Sequence, residues 1–152
     1  MNNIEYLLIY YQDGLFGIDL NGNLIPIKNE SLSFINDYCL LNGSTLEGRN
    51  EAFRYLTGTR YKPCLIVSLV KGIFYLCTRR IENYKTFCLI NFLALEHYKQ
   101  VDVQHTKLYF KTGFEITIAV NYRIIKRQMV LMNRYLEKIS FNSFKCYNFR
   151  HE

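Results

Sequence analysis

Tryptophan is absent from the 152 residues of the sequence, and proline occurs only twice. Runs of about 20 apolar residues, the length that a membrane-spanning helix requires, are absent as well. The apolar middle of the chain is interrupted by Lys71, by Arg79 and Arg80, and by Glu96, which favours buried strands over membrane spans. The residues after Met1 lack the basic region and cleavage site of a secretory signal. We therefore expect a cytoplasmic protein with no membrane contact.

Metal-ligand spacings are also missing. The cysteines are odd in number and form no C-x-x-C pair, so we expect reduced thiols, no metal and no cofactor. They are Cys39, Cys64, Cys77, Cys88 and Cys146. His97, His105 and His151 show no spacing typical of metal ligands. A cysteine nucleophile paired in space with His97 or His105 is the remaining enzymatic alternative, and we expect no enzyme.

Charge is present in quantity but is unevenly distributed, with a net value of +6. One basic residue against six acidic ones gives residues 1–48 a charge of −5, so the remainder carries +11. Such asymmetry is typical of proteins that contact a polyanion, either nucleic acid or an anionic membrane surface.

The basic segment 49–85 holds eight cations, two acidic residues and four interleaved tyrosines. Cations on turns beside a rigid sheet can neutralise phosphates, and arginine can enter a narrow minor groove. An equally weighted alternative is a set of solvated loop charges without a ligand. The candidate DNA-binding residues are Arg49, Arg54, Arg60, Lys62, Arg79, Arg80 and Lys85.

Hydrophobic periodicity predicts an α+β fold in one domain, residues 1–140. Three short strands, at 5–11, 15–20 and 24–27, should form a meander. Two short helices should follow within 31–57, the first ended by Gly43 and the second opened by a Ser44–Glu47 capping box and stopped by Gly58.

The rest of the chain predicts antiparallel sheet and one more helix. Strands are expected at 64–69, 73–78 and 86–95, and a hairpin is expected at 107–120. Asn121 should cap an amphipathic helix near 121–139, with an apolar stripe through Ile125, Met129 and Met132. Residues 141–152 have neither helical nor strand periodicity, and we expect a mobile aromatic and basic tail.

A series of short motifs resembles the ComK family of competence transcription factors. The resemblance covers nearly two thirds of the chain and depends on the order and spacing of the motifs. They are Cys39, NGSTLEGR (42–49), TGTRYKPCLIV (57–67), IFYLCT (73–78), FCLINFLAL (87–95), TKLYFKTG (106–113), the strand ending in Val120 and the helix containing Gln128.

Two departures from the family pattern are visible. The family would carry two prolines after Lys62, where this chain has Pro63 and Cys64, and a proline before Thr78, where it has Cys77. Family members also often continue further at the C-terminal end. These departures do not alter the fold that the resemblance implies. They concern what the resemblance implies about activity and regulation.

The resemblance implies an activator of DNA-uptake genes that is associated with the nucleoid. It also implies binding to double-stranded AT-rich boxes through the minor groove, a homo-oligomer, and delivery to a Clp protease by an adaptor. The alternative is a short regulatory paralogue that acts by protein–protein interaction with a full-length homologue or with the protease adaptor. Part of the adaptor interaction can depend on C-terminal sequence that this chain lacks.

Overall fold

The computed structural model of the protein describes residues 4–79 and 87–151, with the backbone alone from residue 141 onward. Within these residues, two antiparallel sheets and three helices form the predicted α+β fold. The large sheet has the order β3-β2-β1-β6-β5-β4 and the small sheet has the order β7-β8-β9. The strands are β1 Tyr6–Tyr11, β2 Leu15–Asp19, β3 Leu24–Ile27, β4 Leu65–Ser68, β5 Ile73–Cys77, β6 Cys88–Asn91, β7 Leu95–Asp102, β8 His105–Phe110 and β9 Glu115–Ile118. The helices are α1 Ser31–Leu40, α2 Leu46–Thr57 and α3 Tyr122–His151.

The predicted meander is confirmed as β1, β2 and β3, and its first strand becomes central. β1 pairs antiparallel with β2 and also with β6, about 80 residues later, through the register Leu8↔Ile90. Gly17 in β2 lies directly against the buried ring of Tyr6, so a Cβ atom at this position would overlap the ring. Only glycine allows this approach without displacement of the ring.

The large sheet is buried on both faces. On one face, Leu8 and Leu76 belong to a core cluster with Leu108 of the small sheet and Met132 of α3. On the other face, Tyr6, Ile9 and Tyr75 belong to a second cluster with residues of α1. A sheet covered on both sides explains why β4, β5 and β6 consist of nearly continuous apolar residues.

The second face contains a buried tyrosine network. The Tyr75 hydroxyl accepts a hydrogen bond from the Tyr6 backbone N–H at 3.0 Å and lies 3.1 Å from the Tyr38 hydroxyl. Burial raises the pKa of both Tyr38 and Tyr75. The network connects Tyr6 of β1, Tyr38 of α1 and Tyr75 of β5, which are more than 30 residues apart in the sequence. Its buried polar groups satisfy one another's hydrogen-bonding capacity.

The helix caps differ from the prediction in detail. The N-cap of α2 is Thr45 and not Ser44, because Thr45 has the extended backbone that precedes the first turn, and its Oγ1 accepts from the Gly48 N–H at 3.0 Å. Gly58 ends α2 in the left-handed conformation, as predicted, with φ of 70°. α1 ends at a C-cap on Leu41, before Gly43.

The single strand predicted at 86–95 is wrong, because a turn divides it after Asn91. The fully buried Asn91 side chain donates to the Tyr6 carbonyl and accepts from the Ala94 N–H at 3.1 Å. These bonds hold the turn that leads into β7. Most of β7 is exposed and it has no apolar run, so hydrophobic periodicity gave no signal for this strand. The hairpin of β8 and β9 confirms its prediction.

The last helix begins as predicted and is longer than predicted. Asn121 Oδ1 accepts from the Arg123 N–H at 2.8 Å, which confirms the cap. The backbone remains helical through His151, beyond the expected end near residue 139. No glycine or proline occurs between Tyr122 and His151, so no residue in this segment breaks the helical hydrogen bonds. The mobility expected for residues 141–152 stays a prediction.

Candidate nucleic-acid interface

Gln128 of α3 connects the last helix to two distant parts of the chain. Its side chain is 1% exposed. Its Oε1 atom accepts from the Cys77 backbone N–H at 2.9 Å and from the Cys64 thiol at 3.1 Å. Its Nε2 atom donates to the Lys62 carbonyl at 3.2 Å. The loop before β4, the end of β5 and the N-terminal part of α3 therefore have a defined relative position.

Each segment that Gln128 joins carries a cation at the bonded residue or within two positions of it. We call Lys62, Arg79 and Arg127 the basic cluster. Lys62 is half-buried, whereas Arg79 and Arg127 are exposed. Burial lowers the pKa of the Lys62 ammonium, and the like charges of Arg127 and Arg79 lower it further, against an opposing effect of the Cys77 thiol. Both arginines therefore act on the charge of Lys62.

Tyr61 provides an aromatic surface beside the basic cluster. The Arg127 guanidinium carbon lies 5.1 Å from the centre of the Tyr61 ring, which is within the range of a cation–π contact. Tyr61 itself is 63% exposed. The contact places the guanidinium next to the loop that carries Lys62, and most of the ring remains accessible to a ligand.

Arg79 also lines a cavity of about 350 Å³. The cavity is bordered by Gln104 from the β7–β8 turn and by Asn121, the cap of α3. The Arg79 carbonyl accepts a hydrogen bond from the Cys77 thiol at 2.6 Å. The backbone of Arg79 is thus anchored at the end of β5, close to the N-terminus of α3.

The remaining candidates predicted from the sequence lie in different surroundings. Arg49 lies in the first half of α2 and is half-buried. Its guanidinium donates to the carbonyl of Asn42, just after the end of α1, at 2.8 Å. Arg54 is exposed in the last turn of α2, and Arg60 is exposed in the loop that follows. The other two candidates lie outside the described residues. They are Arg80 and Lys85.

Arg127 was missed by sequence reasoning because it lies 65 residues from Lys62 and outside the basic segment. A signal was nevertheless present. Gln128 follows Ile125 by three positions and precedes Met132 by four, so a polar side chain interrupts the predicted apolar stripe of the helix. A polar residue on a buried face requires hydrogen-bond partners, and these partners are what bring the basic cluster together.

The four cysteines with described side chains are buried. Burial raises the pKa of the Cys39 thiol to about 11, against an opposing effect of Arg49, and burial also raises the pKa of Cys64 and Cys88. A protonated and inaccessible thiol reacts poorly with disulfide reagents. These cysteines should therefore be inert in the native protein.

We expect the Cys146→Ser variant to release almost no thionitrobenzoate in the native state at pH 8, at a rate at least about 100-fold below that of a free thiol. The same variant should show all four remaining thiols after unfolding in urea without a reductant. Rapid reaction of two or more thiols in the native state, or fewer than four after unfolding, would contradict the expectation of buried, reduced cysteines.

No group of histidine, cysteine and acidic side chains in the described part of the chain could hold a metal ion. Among the same residues, no helix combines the length and the apolar character that crossing a membrane requires.

The fold is a two-sheet α+β domain, and cations grouped on its loops and last helix are a charge distribution typical of polyanion-binding proteins. Residues 17–141 match the family described as ComK protein. The chain therefore belongs to the ComK family, a family of competence transcription factors and not of enzymes. This match confirms the resemblance found in the sequence. No curated protein and no solved structure matches the chain.

Proposed function

We propose that the protein is a DNA-binding transcriptional activator of competence genes that recognises AT-rich boxes mainly through minor-groove and phosphate contacts. Membership of the ComK family supports the regulatory role. The observation that carries DNA binding is the position of Lys62 and Arg79, two cations of the basic segment, at either end of one hydrogen-bond network. A rigid support for loop cations lowers the entropy that binding must remove.

The minor groove suits this arrangement for a physical reason. A·T and T·A pairs present the same acceptors there, so recognition depends on groove width, negative potential and deformability. Arginine side chains on loops and helix surfaces supply the required positive charge without a recognition helix in the major groove. The exposed arginines of the described residues, including Arg54, Arg60 and Arg79, belong to this class.

The proposal includes self-association, at least to a dimer, because paired boxes match the symmetry of an oligomer. Sedimentation at tens of micromolar, with and without DNA, tests this part. A strict monomer under both conditions would contradict it. Delivery to a Clp protease by an adaptor is a further proposal that follows from family membership alone.

Gel-shift titration on AT-rich and GC-rich duplexes of equal length tests the function. The protein alone should bind the AT-rich duplex more tightly. A parallel titration contains a full-length homologue. Binding that requires the homologue would support the alternative, a short regulatory paralogue that acts through protein–protein interaction.

Replacement of both Arg79 and Arg80 with alanine should weaken binding to AT-rich duplex by about 1–3 kcal/mol and lower the salt slope by about one or two units. The cause is the loss of two side chains that can bridge phosphates or enter a compressed groove. Thermal stability should not change, because Arg79 is exposed.

The matched control is the double substitution Lys99→Ala and Lys111→Ala. It removes one exposed charge from β7 and one from the turn between β8 and β9. This control should weaken binding to the AT-rich duplex less than the replacement of Arg79 and Arg80 does. An unchanged affinity and salt slope in the folded arginine double variant would exclude this turn and direct attention to Arg54, Arg60 and Lys62.

A further inference from the structure

We propose that the basic cluster of Lys62, Arg79 and Arg127 binds a single phosphodiester group of the DNA backbone, with the exposed Tyr61 ring forming one wall of the site. The inference rests on the proposed function and adds to it a residue of α3 that lies outside the basic segment. It also defines which cations act together.

The first support is the way in which the three cations are assembled. Gln128 bonds to the Lys62 carbonyl and to the Cys77 N–H, and it directly follows Arg127 in the sequence. Arg79 is placed by the hydrogen bond between its carbonyl and the Cys77 thiol. One buried side chain thus joins the three separate parts of the backbone that carry these cations.

The second support is that the charge of the basic cluster is not neutralised within the described part of the chain. In residues 4–79 and 87–140, the contacts between basic and acidic side chains are His105 with Asp102 at 2.8 Å and Lys107 with Glu115 at 3.4 Å. Both contacts lie on the small sheet. Convergence of like charges without a carboxylate is unfavourable in the free protein, and an anion at this position would relieve the repulsion.

The third support is the chemistry of the side chains. A guanidinium presents a planar fork of donors that matches two phosphate oxygens, and Arg79 and Arg127 can each donate to the same group. Lys62 adds a point charge. The accessible part of the Tyr61 ring, which Arg127 contacts, offers a flat surface on which a deoxyribose or a base can pack. A nucleic-acid backbone supplies both an anion and an adjacent flat group.

The test compares Arg127→Gln with Lys126→Gln, a matched control at the neighbouring exposed position of the same helix. Fluorescence anisotropy with an AT-rich duplex is recorded at several salt concentrations. Arg127→Gln should weaken binding about ten-fold and lower the salt slope by about one unit. Lys126→Gln should stay within about two-fold of the original affinity. Both variants should unfold thermally within about 3 °C of the original protein, because both positions are exposed.

A second measurement reports on the basic cluster itself. In ¹³C-labelled protein, the pKa of Lys62 should rise in Arg127→Gln because one like charge has been removed. It should rise again when DNA binds, because the phosphodiester compensates the positive charge. If the pKa of Lys62 rises neither in Arg127→Gln nor on DNA binding, the three cations do not share a ligand and the inference is overturned.

The outcomes separate the inference from the proposed function. If the original protein binds no duplex, the proposed function fails and the inference fails with it. If the original protein binds DNA and both substitutions have equal effects, the inference alone is overturned. A loss of binding to anionic phospholipid vesicles in Arg127→Gln, without any change on DNA, would also overturn it and assign the basic cluster to a lipid headgroup.

Discussion

Replacement of Gln128 with leucine should lower the free energy of unfolding by about 3 kcal/mol. Leucine fills most of the volume but bonds to none of the three groups that Gln128 satisfies. The Cys77 N–H and the Lys62 carbonyl would then lack their partner in the interior, and each such group costs about 1–3 kcal/mol. The Cys64 thiol would lose the nearer of its two acceptors and keep the backbone carbonyl of residue 128, 3.5 Å away.

Urea unfolding of Gln128→Leu and of Gln100→Leu measures the effect. Gln100 is exposed on β7, so its substitution should change the stability by less than about 0.5 kcal/mol. The Gln128 variant should also bind DNA more weakly at temperatures where it is fully folded, because Lys62 and Arg79 lose their fixed relation to α3. Equal stability of the two variants would show that the network contributes little.

Replacement of Phe53 with alanine should lower the free energy of unfolding by about 4 kcal/mol. The Phe53 side chain is fully buried in α2, and its ring stacks on Tyr135 of α3 with centroids 4.9 Å apart. The loss combines the transfer of apolar surface from water with the cavity that remains between the two helices. Because α3 carries Gln128, a looser contact between α2 and α3 should also disturb the basic cluster.

Tyr55→Ala is the control for this prediction. Tyr55 lies two residues away in the same helix and is 86% exposed, so its removal should cost less than about 0.5 kcal/mol. Both variants are unfolded by guanidinium chloride and followed by far-ultraviolet circular dichroism. A loss below about 1.5 kcal/mol for Phe53→Ala would mean that the helix pair repacks around the site.

Most elements could be predicted from the sequence because their signals are local. Alternation in β9, turn residues between β1, β2 and β3, and the asparagine cap of α3 each depend on a few adjacent residues. The errors have a shared cause. The turn after Asn91 depends on Tyr6, 85 residues away, and the exposed strand β7 depends on its pairing with β8, neither of which hydrophobic periodicity reports.

The boundary errors at the helices have a different origin. Ser44 and Thr45 are both suitable caps by residue type, and the backbone conformation of Thr45 decided between them. The length of α3 was underestimated because residues 140–151 lack an apolar stripe, although no residue there breaks a helix. A segment without glycine or proline can extend a helix that has already formed, because adding a residue to an existing helix is less costly than starting one.

The sequence by itself determined the class of the fold, the ComK resemblance and the excess of cations after residue 48. These depend on composition and on the order of short motifs, which can be read from the sequence without knowledge of tertiary contacts. The tertiary structure alone decided that the segments of Lys62 and Arg79 are joined to the turn of α3 that carries Arg127, whereas Arg49 is engaged near the end of α1. The physical reason is that Gln128 must satisfy its buried polar groups. The partners that do so are 66 and 51 residues away in the chain, beyond the reach of any local pattern.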